Sequence, residues 1–184
     1  MDFEKVLETL IREFTNAKIR YALIGGFALG AMGILRSTMD LDFLVDSRDL
    51  LKIDKIIKQY DYKCIYKTEN VSQYVSDIKL FGSIDFLHAF RKISLAMIKR
   101  AKDLPVFNGK LNIRVVIPED IIGLKLQALV NDTTRENREY ADIEAIMAYY
   151  KEPLNWNLIE EYFSLFEQQE KYEELKEKYG SFKQ

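Results

Sequence analysis

The chain has 184 residues, 48% hydrophobic and 30% charged, with a formal net charge of -2. That composition predicts a soluble globular protein with a substantial core, built as one domain or as one domain with a helical extension. The near-neutral balance excludes a strongly basic nucleic-acid binder, though not a local basic patch, and the single cysteine, Cys64, excludes an intrachain disulfide framework or thiolate metal site.

The opening segment, "MDFEKVLETLIREF", carries charge throughout and lacks the apolar centre of a signal peptide. No stretch has the run of apolar residues that spans a bilayer, and a cytoplasmic location is expected. Val6, Leu7, Leu10, Ile11 and Phe14 fall at helical spacing, which predicts a helix over residues 3 to 17. "YALIG", residues 21 to 25, is a short apolar run closed by glycine and predicts a buried strand. A short helix from Phe27 to Met32 follows, with Gly33 as its stop.

"LDFLVD", residues 41 to 46, is the next expected strand. A helix over 47 to 59 is expected after it, with Ser47 as the N-cap. From Lys63 to Leu87 the pattern turns strand-like in "KCIYK", "QYVSDIKLF" and "SIDFLHAF", with Gly82 and Ser83 marking a turn. A short helix at 93 to 101 and a strand at 111 to 117 come next. Pro118 ends that strand and opens a helical region, with helices near 118 to 130, 136 to 150 and 156 to 178. The expected division is a core over 1 to 117 and a helical part over 118 to 184 packed on it, with a single domain over 1 to 184 as the alternative.

The chemistry concentrates in "GGFALGAMGILRSTMDLDFLV". Gly25 and Gly26 stand where a strand hands over to a helix. Without a Cβ, backbone N–H groups there can approach a ligand closely, and the helix start adds unpaired donors and a positive dipole end. That combination suits an anion such as a triphosphate. Asp40 and Asp42 lie two apart in a strand and so share one face. Two carboxylates side by side repel unless a cation lies between them, and hard divalent ions such as Mg²⁺ take oxygen ligands of this kind together with substrate phosphates. Asp85, in "SIDFL", is a third acid in an apolar strand. If its strand lies beside the first, three carboxylates converge, enough to hold two metal ions for phosphoryl or nucleotidyl transfer.

This pattern resembles the DNA polymerase beta-type nucleotidyltransferase superfamily, which carries a glycine pair, a short spacer, an Asp-x-Asp strand and a later acid in a neighbouring strand. Gly25, Gly26, Asp40, Asp42 and Asp85 carry the resemblance here. It is closest to the AbiEii-type toxin and related bacterial and archaeal nucleotidyltransferases, through Arg36-Ser37-Thr38 before the acids, "KLQA" from Lys125 and "ADIEAI" around Asp142. The likeness covers roughly residues 20 to 150. It implies an α+β nucleotidyltransferase fold, a mixed β-sheet flanked by helices with a C-terminal helical part. It implies Asp40, Asp42 and Asp85 as metal ligands and catalytic acids. It also implies Gly25, Gly26, Arg36, Thr38, Lys125 and Asp142 as nucleotide-binding residues, with Lys125 also in a catalytic role against the phosphates.

Read without the family, several of these residues have plainer roles. Lys125 lies among Ile121, Ile122, Ala128 and Leu129 at helical spacing, so it must snorkel or meet a buried anion. Asp142 follows Arg138 by four residues, the spacing of a surface ion pair. Thr38 and Arg36 could touch phosphate, orient Asp40 or serve only the loop. Arg135 and Arg138, with Asn131 and Asn137, form a polar stretch able to hold an acceptor or a base. His88, the only histidine, fits a structural role at a strand end, and Cys64 fits a small packed residue.

The expected activity is Mg²⁺-dependent transfer of a nucleoside monophosphate from a nucleoside triphosphate to a hydroxyl. By resemblance the acceptor is RNA, tRNA or a protein, in a toxin that travels with a cognate antitoxin. A regulatory module of the same fold that binds nucleotide or a partner is one alternative, supported by Phe27 directly after the glycine pair, where no serine hydroxyl is offered. Transfer to a small molecule such as an antibiotic is the other.

Overall fold

A computed structural model describes residues 1–180. Residues 181–184, the end of the expected helical part, lie outside the described residues. Two compact units divide the chain. One joins Met1–Ala31 to Leu35–Val116, and the other joins Met32–Ile34 to the chain from Ile117.

The first unit is a seven-stranded mixed sheet with helices. Helix α1, Phe3–Asn16, starts at Asp2, whose carboxylate caps the Lys5 amide. Strand β1, Tyr21–Ile24, runs directly into the short helix α2, Gly25–Ala31. Then come β2, Asp40–Asp46, α3, Leu50–Lys58, and the strands β3, Tyr62–Lys67, β4, Val71–Ser76, and β5, Ser83–Ala89. Helix α4, Lys92–Arg100, leads to the β6–β7 hairpin, Lys102–Val106 and Leu111–Val115. The strand order is β3-β4-β5-β2-β1-β7-β6.

Alternation along the central strands sorts the side chains. On β2 and β5, which pair in parallel, Phe43 is opposite Phe86 and their rings stack at 5.5 Å. Phe14 of α1 meets Phe43 edge-on at 5.7 Å, and Tyr74 of β4 meets Phe86 at 5.7 Å. This aromatic core occupies one face of the sheet. Residues one position along, Asp42 and Asp85, point to the other face.

The second unit is helical. It contains α5, Pro118–Asn131, α6, Glu136–Tyr149, α7, Trp156–Leu165, and α8, Gln169–Tyr179. Helix α5 packs on α6 and α7, and Gly123 lets the Tyr162 ring lie against its backbone. Pro118 sits in the first turn of α5, where its missing N–H costs nothing.

The structure corrects four expectations and adds one strand. Ser47 does not open a single helix over 47 to 59; Asp46 caps a short 3₁₀ turn, Ser47–Asp49, and α3 follows it. The strand expected in "QYVSDIKLF" ends at Ser76. Strand β6 is the addition: Pro105 lies within it, and at the sheet edge a missing amide donor is tolerated. The last helix is two, parted where Glu167 takes a left-handed φ of 56° without any glycine or proline to announce it. Cys64 is exposed, since β3 is the other edge strand and Tyr62 is its only buried residue.

Candidate active site

Asp40, Asp42 and Asp85 come together. Strand pairing sets Asp42 directly beside Asp85, and Asp40 lies two residues along on the same face. Each offers a carboxylate oxygen, and these oxygens lie within 4.8 Å of one another. All three residues are half-buried. Burial pushes the Asp85 carboxyl above its ordinary value, and the charge of Asp40 pushes it the same way. The Gln73 amide opposes this by donating to Asp85 Oδ2 at 2.9 Å. Three mutually repelling oxygens of hard character form a donor set that fits a divalent cation such as Mg²⁺.

The glycine pair explains how two aspartates fit so tightly. Gly25 has φ +68°, and a Cβ there would run into the Asp42 carboxylate. Gly26 leaves room for Thr38, whose Cβ would lie 2.8 Å from a Cβ on residue 26. Thr38 Oγ1 in turn donates to Asp40 Oδ1 at 2.8 Å. Each glycine therefore makes space for one aspartate, directly at Gly25 and through Thr38 at Gly26. Arg36 lies half-buried in the same loop, two residues before Thr38.

Lys125 and Asp142 belong to the second unit and pair with each other. Lys125 Nζ is 2.6 Å from Asp142 Oδ2 and 2.9 Å from Glu139 Oε2. Of the two readings open for Lys125, the buried anion is realised: the Glu139 side chain is 0% exposed. Arg135 reaches the other Glu139 oxygen at 2.5 Å. Each oxygen of the buried Glu139 carboxylate thus meets one cation. The partner seen for Asp142 is a lysine of another helix, where the spacing had suggested Arg138 on its own helix.

His88 lies on the aromatic face, away from the acids. Its Nδ1 is 2.8 Å from the Glu69 carbonyl, which can only accept, so Nδ1 carries the proton. Nε2 then accepts from Ser72 Oγ at 3.0 Å. Burial holds the imidazole below its ordinary value and keeps it neutral.

Two residues have partners at these sites that the sequence reading did not assign. Gln73 becomes legible only once β4 is known to pair with β5 in the register that sets Gln73 opposite Asp85. Glu139 lies three residues before Asp142, on one helix face, which was a usable signal.

No family model matches the chain, and no curated protein matches its sequence. Solved structures do match in shape. One is the antibiotic-resistance factor ANT(2'')-Ia in complex with adenylyl-2''-tobramycin, with TM-score 0.63 and 13% identity over 90% of this chain and 97% of that one. Another is the lincosamide antibiotic adenylyltransferase LnuA, lincomycin-bound, with TM-score 0.53 and 14% identity over 79% of this chain and 96% of that one. A third is a nucleotidyltransferase-like protein from Paracoccidioides brasiliensis, with TM-score 0.58 and 16% identity over 95% of this chain and 91% of that one. The chain has the nucleotidyltransferase fold.

Proposed function

We propose that the protein transfers a nucleoside monophosphate from a nucleoside triphosphate to an acceptor hydroxyl. The convergence of Asp40, Asp42 and Asp85 on one face of the sheet carries this reading. These three residues would hold Mg²⁺, which when bound neutralises charge on the triphosphate and the departing pyrophosphate.

The remaining steps fall to the chain itself. Thr38 holds Asp40 through its hydrogen bond, and the absence of a side chain at Gly25 leaves the space that the Asp42 carboxylate occupies. Asp85 accepts the proton of the acceptor hydroxyl. The hydroxyl oxygen forms a bond to the α-phosphorus. The bond from that phosphorus to the oxygen bridging to the β-phosphate breaks, and pyrophosphate leaves with the electron pair. Gln73 holds Asp85 toward the reacting hydroxyl. In this reading Gly25, Gly26, Arg36 and Thr38 face the triphosphate.

The test is label transfer. The purified chain is incubated with each α-labelled nucleoside triphosphate, Mg²⁺ and a cell extract containing RNA, protein and small molecules, beside an Asp40→Asn/Asp42→Asn double variant. Label moving into one acceptor class only with the intact aspartates supports the proposal. Equal labelling by the double variant overturns it.

A further inference from the structure

Beside the carboxylates lies a cavity of about 570 Å³ within the sheet unit. Phe3 of α1, Phe27 of α2 and Phe107 of the β6–β7 turn line it, with Arg36 and Thr38. Three separate elements thus each contribute one phenylalanine. Phe3 and Phe27 have ring centroids 5.2 Å apart, and Phe27 and Phe107 6.1 Å apart. None of the three is fully buried, unlike the rings of the sheet core. Phe107 also holds a left-handed backbone, φ 53°, which a bulky residue adopts at a cost.

The wall has a definite character. Its one charged side chain is the Arg36 guanidinium, and among the described residues no acid lines it. A polycationic ligand gains nothing from such a wall. A flat ring gains from edge and face contacts with phenylalanine and from the guanidinium plane. Thr38 connects the cavity to the chemistry, because it both lines the space and donates to Asp40 at 2.8 Å. A ligand seated there is one side chain away from the carboxylates.

We infer that this cavity is the acceptor subsite, with Gly26, Arg36 and Thr38 of its wall standing between it and the triphosphate, and that it selects a small aromatic acceptor, uncharged or anionic, bearing a hydroxyl. This rests on the nucleotidyl-transfer reading above. The hydroxyl oxygen bonds to the α-phosphorus as pyrophosphate departs, and its proton passes to Asp85, while the ring stays among Phe3, Phe27 and Phe107.

The experiment uses two probes, 2-naphthylmethanol and cyclohexylmethanol, titrated calorimetrically against the full chain. It is repeated with Phe107→Ala and Phe107→Leu, two replacements in a half-exposed turn. The aromatic probe should bind at least about tenfold more tightly than the cyclohexyl probe, and each variant should lose about tenfold in affinity for it. Binding of Mg²⁺–ATP should be unchanged in both variants, and the parent should pass label from α-labelled ATP to 2-naphthylmethanol. Equal binding of the two probes overturns the inference, as does full aromatic affinity in both variants or transfer to other acceptors with none to the naphthyl probe. Selective, Phe107-dependent binding with no nucleotidyl transfer to any acceptor overturns the functional reading instead, and the acceptor role with it.

Discussion

The Asp42 carboxylate fills the space that a side chain on residue 25 would need. Gly25 is doubly constrained, by this contact and by its φ of +68°. Gly33, at φ +82°, has the same backbone problem with nothing within 4 Å of its Cβ position. Alanine at either position should cost about 1 kcal/mol of stability through strain. Only Gly25→Ala should also displace Asp42, so Mn²⁺ affinity by calorimetry should fall more than about tenfold in that variant, with Gly33→Ala unchanged. Equal metal affinity in the two variants would show that the glycine shapes only the backbone.

Gln73 offers a finer test, because it reaches the reacting atoms only through Asp85. Gln73→Leu removes a hydrogen bond to a carboxylate, an interaction of about 1.5–3 kcal/mol. Turnover should drop at least about tenfold while KM for the triphosphate holds, since the contact lies on the acid and not on the nucleotide. Gln73→Asn, which keeps the amide on a shorter arm, should recover part of the rate. A rise in KM with turnover intact would place Gln73 on the nucleotide instead.

Much of this site was legible because its rules are local. The spacing of Asp40 and Asp42 fixes their common face once β2 is recognised. The glycine pair signalled close approach, but what approaches includes Asp42 and Thr38 of the chain itself, a partner that spacing alone does not name. Asp85 and Gln73 depend on strand order and register, which are tertiary facts. The same limit hid β6, whose Pro105 is acceptable only because the strand lies at an edge. It also hid the break at Glu167, where a left-handed backbone parts the two helices without glycine or proline.

His88 predicts a pH dependence separate from the active site. The folded state holds the imidazole below its ordinary value of 6.5, by burial first and by the nearby Lys67 charge, against the hydrogen bond to Glu69. Below about pH 6.5 the unfolded chain therefore binds a proton that the folded chain refuses. Stability should be full above that pH and fall as pH drops toward the folded value, by at most about 1.4 kcal/mol per pH unit. The paired carboxylates Asp46, Asp49 and Asp54 are held below 3.8, so their loss comes at lower pH. Urea titrations from pH 7 to pH 5 should show the slope in the parent and a flatter profile in His88→Gln. Parallel profiles would mean that the imidazole is protonated in the fold.

Lys125 separates a structural charge from a substrate-facing one. Its ammonium lies between Asp142 and Glu139, and the Glu139 side chain is 0% exposed. Removing one member of such a group leaves buried charge uncompensated, at about 3–5 kcal/mol, whereas removing opposite charges together costs much less. Lys125→Met should therefore unfold at markedly lower urea, and Lys125→Met combined with Glu139→Gln should recover a large part of the loss. Non-additivity above about 1 kcal/mol in this cycle would establish the pair as a structural unit. If instead Lys125→Met keeps its stability and loses triphosphate affinity, the lysine serves the nucleotide, and the carboxylates around it hold it ready for that contact.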